Sequence, residues 1–172
     1  MIVEERLVTY MNSLDRGHTP FLEELEASAR KDKVPIIRRE MQSFLKTMLA
    51  LVQPSHILEV GTAVGFSALL MAQYGPENCR ITTIENYEKR ISAARENFRR
   101  AGMEDRITLL PGDAADILKT LDGPFDFIFM DAAKGQYIHF LPEILRLMPV
   151  GGVLLSDNVL PVSYTYLRAH ET

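Results

Sequence analysis

Residues 59–67 read Glu-Val-Gly-Thr-Ala-Val-Gly-Phe-Ser, between an apolar run at 56–60 and a helical pattern. A glycine-containing turn between a strand and a helix is typical of the ligand-binding loop of an open α/β sheet. Gly61 and Gly65 allow the backbone to turn tightly and to approach a ligand closely. The alternative is a purely structural strand-to-helix turn.

Short apolar runs alternate with helical patterns on both sides of residue 80. The runs cover residues 56–60, 80–84, 107–110, 125–130 and 152–155, and the helical patterns lie at about 65–74, 87–101, 114–121 and 137–147. This alternation predicts βαβ units and therefore a Rossmann-like, doubly wound parallel sheet of the α/β class. Residues 1–52 carry helical periodicity and predict N-terminal helices that precede the sheet.

One domain is expected over residues 1–160, with N-terminal helices at 1–52 and the Rossmann-like core at 56–160. Residues 161–172 show neither a strand pattern nor a helix pattern. We therefore expect this segment to be a non-native or disordered tail, and the strands that normally follow the fifth to be missing.

Composition and charge limit the classes of protein that remain. The 172 residues carry a net charge of −4 and one cysteine, Cys79, which favours a reducing cytoplasm over a disulfide-rich compartment. No apolar run reaches the roughly 18 residues of a membrane span, so no membrane role is expected. The acidic balance argues against a surface that binds nucleic acid throughout. A local basic patch remains open at Arg30, Lys31, Lys33, Arg38 and Arg39, and a solvated helix end is the alternative.

The glycine spacing at 61 and 65 favours an S-adenosylmethionine site over a dinucleotide site, because it departs from Gly-x-Gly-x-x-Gly. This departure argues against a nicotinamide oxidoreductase. Glu85 follows the second predicted strand, where its carboxylate can accept hydrogen bonds from ribose hydroxyls. The alternative for Glu85 is a solvated loop carboxylate. Asp113 follows the third strand and can accept from an adenine amino group, cap the next helix, or do both.

Two further polar groups follow the fourth and fifth predicted strands, at Asp131-Ala-Ala-Lys134 and at Asp157-Asn158. These strands should be neighbours about 4.8 Å apart, so their ends should bring the side chains together. Two carboxylates and an amide oxygen are ligands that Mg²⁺ prefers, and Mg²⁺ leaves positions for water and substrate. Helix capping by each aspartate is the alternative.

These motifs, together with Val34-Pro35-Ile36, resemble those of the cation-dependent class I O-methyltransferases, a family that includes catechol and caffeoyl-CoA enzymes. The resemblance covers residues 1 to about 160 and is greatest to the bacterial tRNA 5-hydroxyuridine methyltransferases. It implies metal ligands at Asp131, Asp157 and Asn158, and catalytic roles for Lys134 and Asp131. The cofactor contacts that it implies are Ile37, Gly61, Thr62, Gly65, Ser67, Glu85, Asp113, Ala114 and Asp131. Plant caffeoyl-CoA enzymes have an acid where this chain has Ala133.

The resemblance implies methyl transfer from S-adenosylmethionine to an oxygen, with Mg²⁺ or another divalent cation. The first substrate hypothesis is 5-hydroxyuridine at the wobble position of tRNA, which would give 5-methoxyuridine. A small catechol-like or caffeoyl-CoA-like acceptor is the alternative, and an inactive fragment that only binds the cofactor is another. The resemblance also implies a homodimer.

Overall fold

The computed structural model describes residues 4–14, 17–132 and 134–157. Their helices are α1 (Glu5–Ser13), α2 (Pro20–Lys31), α3 (Arg39–Val52), α4 (Phe66–Tyr74), α5 (Glu88–Arg100), α6 (Ala114–Thr120) and α7 (Tyr137–Leu147), with a 3-10 helix at Lys134–Gln136. The strands are β1 (His56–Val60), β2 (Arg80–Glu85), β3 (Ile107–Pro111), β4 (Phe127–Met130) and β5 (Val153–Ser156). The predicted N-terminal helices and the alternating core are both confirmed. The predicted tail at 161–172 lies outside the described residues.

The five strands form one parallel sheet in the order β3-β2-β1-β4-β5. Val60 at the end of β1 is in register with Ile84 of β2 and with Met130 of β4, and Met130 is in register with Ser156 of β5. The predicted doubly wound fold is therefore confirmed. The chain order reverses between β1 and β4, and ligands of open α/β sheets bind outside the carboxyl ends of the strands at this switch point.

Each face of the sheet is covered by its own hydrophobic cluster. Ile57 and Phe127 contribute to the cluster beneath α2, α3, α4 and α5, whereas Leu58 and Ile128 contribute to the one beneath α6 and α7. These side chains alternate because successive residues of a strand point to opposite faces. All four are completely buried, and full burial of such a side chain stabilises the fold by about 1.5–3 kcal/mol.

Strand β4 begins at Phe127, two residues later than the apolar run at 125–130 suggested. The Asp126 carboxylate accepts hydrogen bonds from the backbone amides of Ser55 (2.8 Å) and His56 (2.7 Å), which precede or begin β1. The Phe125 amide donates to the Leu147 carbonyl at 2.9 Å. Residues 125 and 126 therefore anchor the start of β4 instead of extending it.

A buried polar network holds the N-terminal helices against the segment at 34–38. The Gln42 amide is fully buried and donates to the Ile37 carbonyl (2.9 Å) and to Glu26 (3.4 Å), while its oxygen lies 2.7 Å from His18 Nε2. Burial opposes ionisation of Glu26, but hydrogen bonds from Arg30 and Gln42 together with the charges of Arg30 and Arg39 outweigh it and lower the Glu26 pKa. The network fixes the segment before α3, which is non-helical as the Val34-Pro35 pair predicts.

Two smaller expectations concern Cys79 and the membrane. Cys79 is a buried free thiol, and burial raises its pKa to about 11. Among residues 4–14, 17–132 and 134–157, the structure contains no helix with the length and apolar character that a bilayer span requires.

Candidate active site

A cleft of about 1640 Å³ opens at the carboxyl ends of the strands. Most of the residues singled out in the sequence line it, which places both proposed halves of the site in one cavity. They are Ile37, Gly61, Thr62, Ser67, Glu85, Asp113, Ala114, Asp131 and Asp157. Among the predicted cofactor contacts, only Gly65, the N-cap residue of α4, does not line the cleft. Its φ is 85°, and a Cβ at this position would collide with the Phe98 ring, which explains the glycine there. The individual cofactor roles remain predictions.

Gly61 packs directly against the backbone that follows β4. Its φ is 104°, and a Cβ at this position would collide with the carbonyl oxygen of Asp131. The amides of Gly61 and Thr62 both donate to the Ile84 carbonyl, at 3.1 and 3.2 Å. Glycine is therefore required here both by the backbone conformation and by the close approach of the 131 segment.

Glu85 ties the glycine loop to the end of β2. One carboxylate oxygen accepts from the Ala63 amide at 2.8 Å, and the other accepts from the amides of Asn86 (3.1 Å) and Tyr87 (3.0 Å). Only 7% of Glu85 is exposed, so the alternative of a solvated loop carboxylate is wrong. An ionised carboxylate has about four acceptor positions, which leaves capacity for a ribose hydroxyl.

Glu59 is a buried acid of the site to which the sequence analysis assigned no role. Its carboxylate accepts hydrogen bonds from the hydroxyls of Ser67 and Thr83, and Thr83 Oγ1 lies 2.6 Å from Thr62 Oγ1. Burial raises the pKa of Glu59 to about 8, and the charges of Asp131 and Glu85 add to the effect. Glu59 therefore positions Ser67 directly and Thr62 through Thr83, and both Ser67 and Thr62 line the cleft. Its signal in the sequence is a single acid inside an otherwise apolar strand.

Asp113 caps helix α6 on the other side of the cleft. Its carboxylate accepts from the Ala115 amide at 2.8 Å, which confirms the predicted capping role. Ala114, the first residue of α6, lines the cleft beside it. A cap uses only part of the carboxylate's acceptor capacity, so contact with an adenine amino group remains a compatible prediction.

Asp131 and Asp157 line the cleft just beyond the ends of β4 and β5. The Asp131 amide donates to the Val60 carbonyl and the Asp157 amide donates to the Met130 carbonyl, each at 3.0 Å. Tyr137 lies behind them, and burial, the Asp131 charge and the Asp157 charge raise its pKa to about 12. The predicted pairing of β4 with β5 is confirmed, and both aspartates line the same cleft. Their convergence on a metal stays a prediction.

The other two residues of the predicted metal and catalytic set, Lys134 and Asn158, are not fully within the described part of the chain. Asn158 lies outside the described residues, and so does the side chain of Lys134, whose backbone begins the 3-10 helix. The described residues contain no group of three or more histidine, cysteine, aspartate or glutamate side chains that could hold a metal. Asp131 and Asp157 offer the hard oxygen donors that fit Mg²⁺, with the third donor predicted at Asn158.

The basic patch considered in the sequence is partly neutralised. Arg30 pairs with Glu26 at 2.5 Å, and Arg39 lies 3.5 Å from Glu26 and 3.6 Å from Glu23. The other three cations of the patch, Lys31, Lys33 and Arg38, are exposed, and Arg38 lines the cleft.

The fold and the cleft define a class I methyltransferase domain, and comparison with known proteins identifies the family. The model of the O-methyltransferase family matches residues 12–165. The chain therefore belongs to the O-methyltransferase family, as its motifs predicted.

Three related proteins show how far the similarity extends. The catechol O-methyltransferase of Mycobacterium tuberculosis is 34% identical over 88% of this chain and 70% of its own length. The caffeoyl-CoA O-methyltransferase of Populus kitakamiensis is 33% identical over 68% of this chain and 52% of its own length. The crystal structure of a methyltransferase from Podospora anserina with bound SAH has a TM-score of 0.84 and 33% identity, and covers 90% of this chain and 68% of its own. The chain thus spans between about half and 70% of these relatives.

Proposed function

We propose that this protein transfers a methyl group from S-adenosylmethionine to a hydroxyl of a small catechol-like or caffeoyl-CoA-like acceptor, with the help of a divalent cation. The observation that carries the proposal is the convergence of the Gly61 loop and Glu85 with Asp131 and Asp157 in one cleft. The catechol and caffeoyl-CoA relatives support the acceptor class, and the SAH-bound Podospora enzyme supports the methyl donor.

The donor side of the cleft binds and orients the cofactor. Glu85 would accept hydrogen bonds from the ribose, Asp113 would accept from the adenine amino group, and the Gly61–Ser67 loop would hold the amino acid portion. The sulfonium donor carries its own activation, so the residues on this side contribute mainly orientation of the methyl group. Glu59 supports this side by accepting a hydrogen bond from Ser67.

The acceptor side provides the metal ligands and the base. Asp131, Asp157 and Asn158 would hold the cation, while Lys134 would take the proton of the attacking hydroxyl or anchor the resulting oxyanion. A bound divalent cation would coordinate that hydroxyl, lower its pKa and orient it toward the methyl group. A second oxygen next to the hydroxyl, as in a catechol, suits this arrangement because it would complete a chelate.

A tRNA substrate is the second candidate, because Lys31, Lys33 and Arg38 are exposed and Arg38 lines the cleft. Basic side chains near a site are suited to contacts with nucleic acid phosphates. The catechol and caffeoyl-CoA relatives favour the small acceptor over the 5-hydroxyuridine that the motifs suggested.

The test is a methyl-transfer assay in which SAH formation and the methylated product are both measured. Catechol, caffeoyl-CoA and tRNA containing 5-hydroxyuridine are offered separately, with Mg²⁺ and with excess EDTA. We expect the wild type to methylate a small acceptor in a metal-dependent way. Asp157→Asn should lose most of this activity, and Asp116→Asn should keep all of it. Asp116 is a matched control because its exposed side chain pairs with Lys119 on α6.

Three outcomes separate the alternatives. Methylation of tRNA alone would transfer the proposal to the second candidate. Turnover that is insensitive to EDTA would remove the cation from the proposal. Cofactor binding in calorimetry without turnover on any acceptor would identify a cofactor-binding fragment. The predicted homodimer remains a proposal, which analytical ultracentrifugation tests. The cytoplasmic location also remains a proposal.

A further inference from the structure

The hydroxyl of Tyr137 connects the ends of two strands behind the cleft. Tyr137 Oη lies 3.1 Å from the Met130 carbonyl oxygen at the end of β4 and 3.1 Å from the Asp157 carbonyl oxygen just beyond β5. Its ring is partly buried against the cluster beneath α6 and α7, which includes Phe140 and Ile144. Tyr137 itself is not among the residues that line the cleft.

This contact lies where backbone pairing between the two strands ends. Met130 is in register with Ser156, and the Asp157 amide makes the next bond, to the Met130 carbonyl at 3.0 Å. Asp131, the residue after β4, donates its amide to the Val60 carbonyl of β1, because successive residues of a central strand bond to opposite neighbours. Within the described residues no further backbone bond joins β4 to β5. The Tyr137 hydroxyl, whose single proton is shared between the Met130 and Asp157 carbonyls, is therefore an additional link between the two strand ends.

We propose that Tyr137 is a positioning residue for the metal site, fixing the spacing between the backbone that carries Asp131 and the one that carries Asp157. This role rests on the proposed function, since it assumes that the two carboxylates bind a cation. Tyr137 acts through the two carbonyls and touches neither the cation nor the substrate. Groups that orient metal ligands from behind typically change metal affinity by 10–100-fold when they are lost.

The test compares Tyr137→Phe with the wild type and with Tyr10→Phe. The phenylalanine keeps the ring in its hydrophobic cluster and removes only the hydroxyl. Tyr10 is 61% exposed on α1, so its variant controls for loss of a tyrosine hydroxyl elsewhere. Mn²⁺ affinity is measured by calorimetry with cofactor present, cofactor affinity is measured separately, and the thermal midpoint reports on the fold.

We expect Tyr137→Phe to bind Mn²⁺ about tenfold more weakly, with cofactor affinity and thermal midpoint retained. Turnover should need correspondingly more metal and recover when the metal is saturating. Unchanged Mn²⁺ affinity in Tyr137→Phe would overturn the positioning role and leave the proposed function intact. Equal losses of metal affinity, cofactor affinity and thermal midpoint would show a general structural role and would also overturn it. A wild type that binds no Mn²⁺ would overturn the cation-dependent function and this role with it.

Discussion

Replacement of Glu59 by glutamine should remove a large pH dependence from the stability of this protein. Glu59 is fully buried, and its pKa is raised from 4.5 to about 8, first by burial and then by the charges of Asp131 and Glu85. The folded state therefore holds a proton that the unfolded state releases above pH 4.5. The resulting stabilisation is complete below pH 4.5, declines as the pH rises above that value, and is lost once the pH has passed through the folded-state pKa of about 8.

The size of the effect follows from these two values. One pKa unit corresponds to 1.36 kcal/mol, so between pH 5 and pH 7.5 the wild type should lose about 3 kcal/mol of unfolding free energy through Glu59. Glu59→Gln has no such titration and nearly the same shape. Its amide can still contact the hydroxyls of Ser67 and Thr83, which can rotate to donate or to accept.

Urea denaturation of the metal-free and cofactor-free protein, at half-unit steps from pH 5 to pH 8, measures this difference. All other titrating groups are common to both proteins, so subtracting the two curves isolates Glu59. Glu77→Gln, at an exposed position, provides the control and should run parallel to the wild type. Parallel curves for Glu59→Gln and wild type would show that Glu59 is charged at neutral pH in the folded state, and the burial argument would be refuted.

Three further predictions concern the cleft. Glu85→Gln should weaken cofactor binding by about 1–3 kcal/mol in calorimetry, because a charged acceptor is lost; unchanged affinity would exclude the ribose role. Asp157→Ala should match EDTA treatment, abolishing methyl transfer while cofactor affinity in calorimetry is largely kept; full turnover by this variant would contradict a ligand role. Lys134→Arg keeps a positive charge but cannot act as a base near neutral pH, so steady-state kinetics should show lost turnover with substrate binding retained. Substantial turnover in that variant would leave Lys134 as an anchoring cation.

The fold was largely predictable because hydrophobic periodicity is local information. The pattern placed α7 at residues 137–147 and β1 at 56–60, as the structure has them. The start of β4 was placed too early, because sequence periodicity does not show that Asp126 bonds to amides about 70 residues away. Strand ends are decided by such distant partners.

The candidate site was predictable where its residues follow strands, since parallel strands end at a common edge. The role of Glu59 was not predictable from the sequence, because its partners Ser67 and Thr83 become its neighbours only through the loop and the strand pairing. The contact between Gln42 and His18 was not predictable for the same reason, since it joins α3 to the segment before α2. The missed residues are buried polar groups whose partners are set by tertiary structure.

The fit of Gly61 against the Asp131 carbonyl has a consequence for how such a domain can diversify. No side chain separates the loop on the donor side from the segment on the acceptor side, so their spacing is a property of the main chain. In the proposed reaction, this spacing would contribute to the distance between the methyl donor and the acceptor oxygen. Substitutions around the rim could then reshape the acceptor pocket without changing this main-chain spacing. A side chain at position 61 would instead force the two segments apart and alter that distance for every acceptor alike.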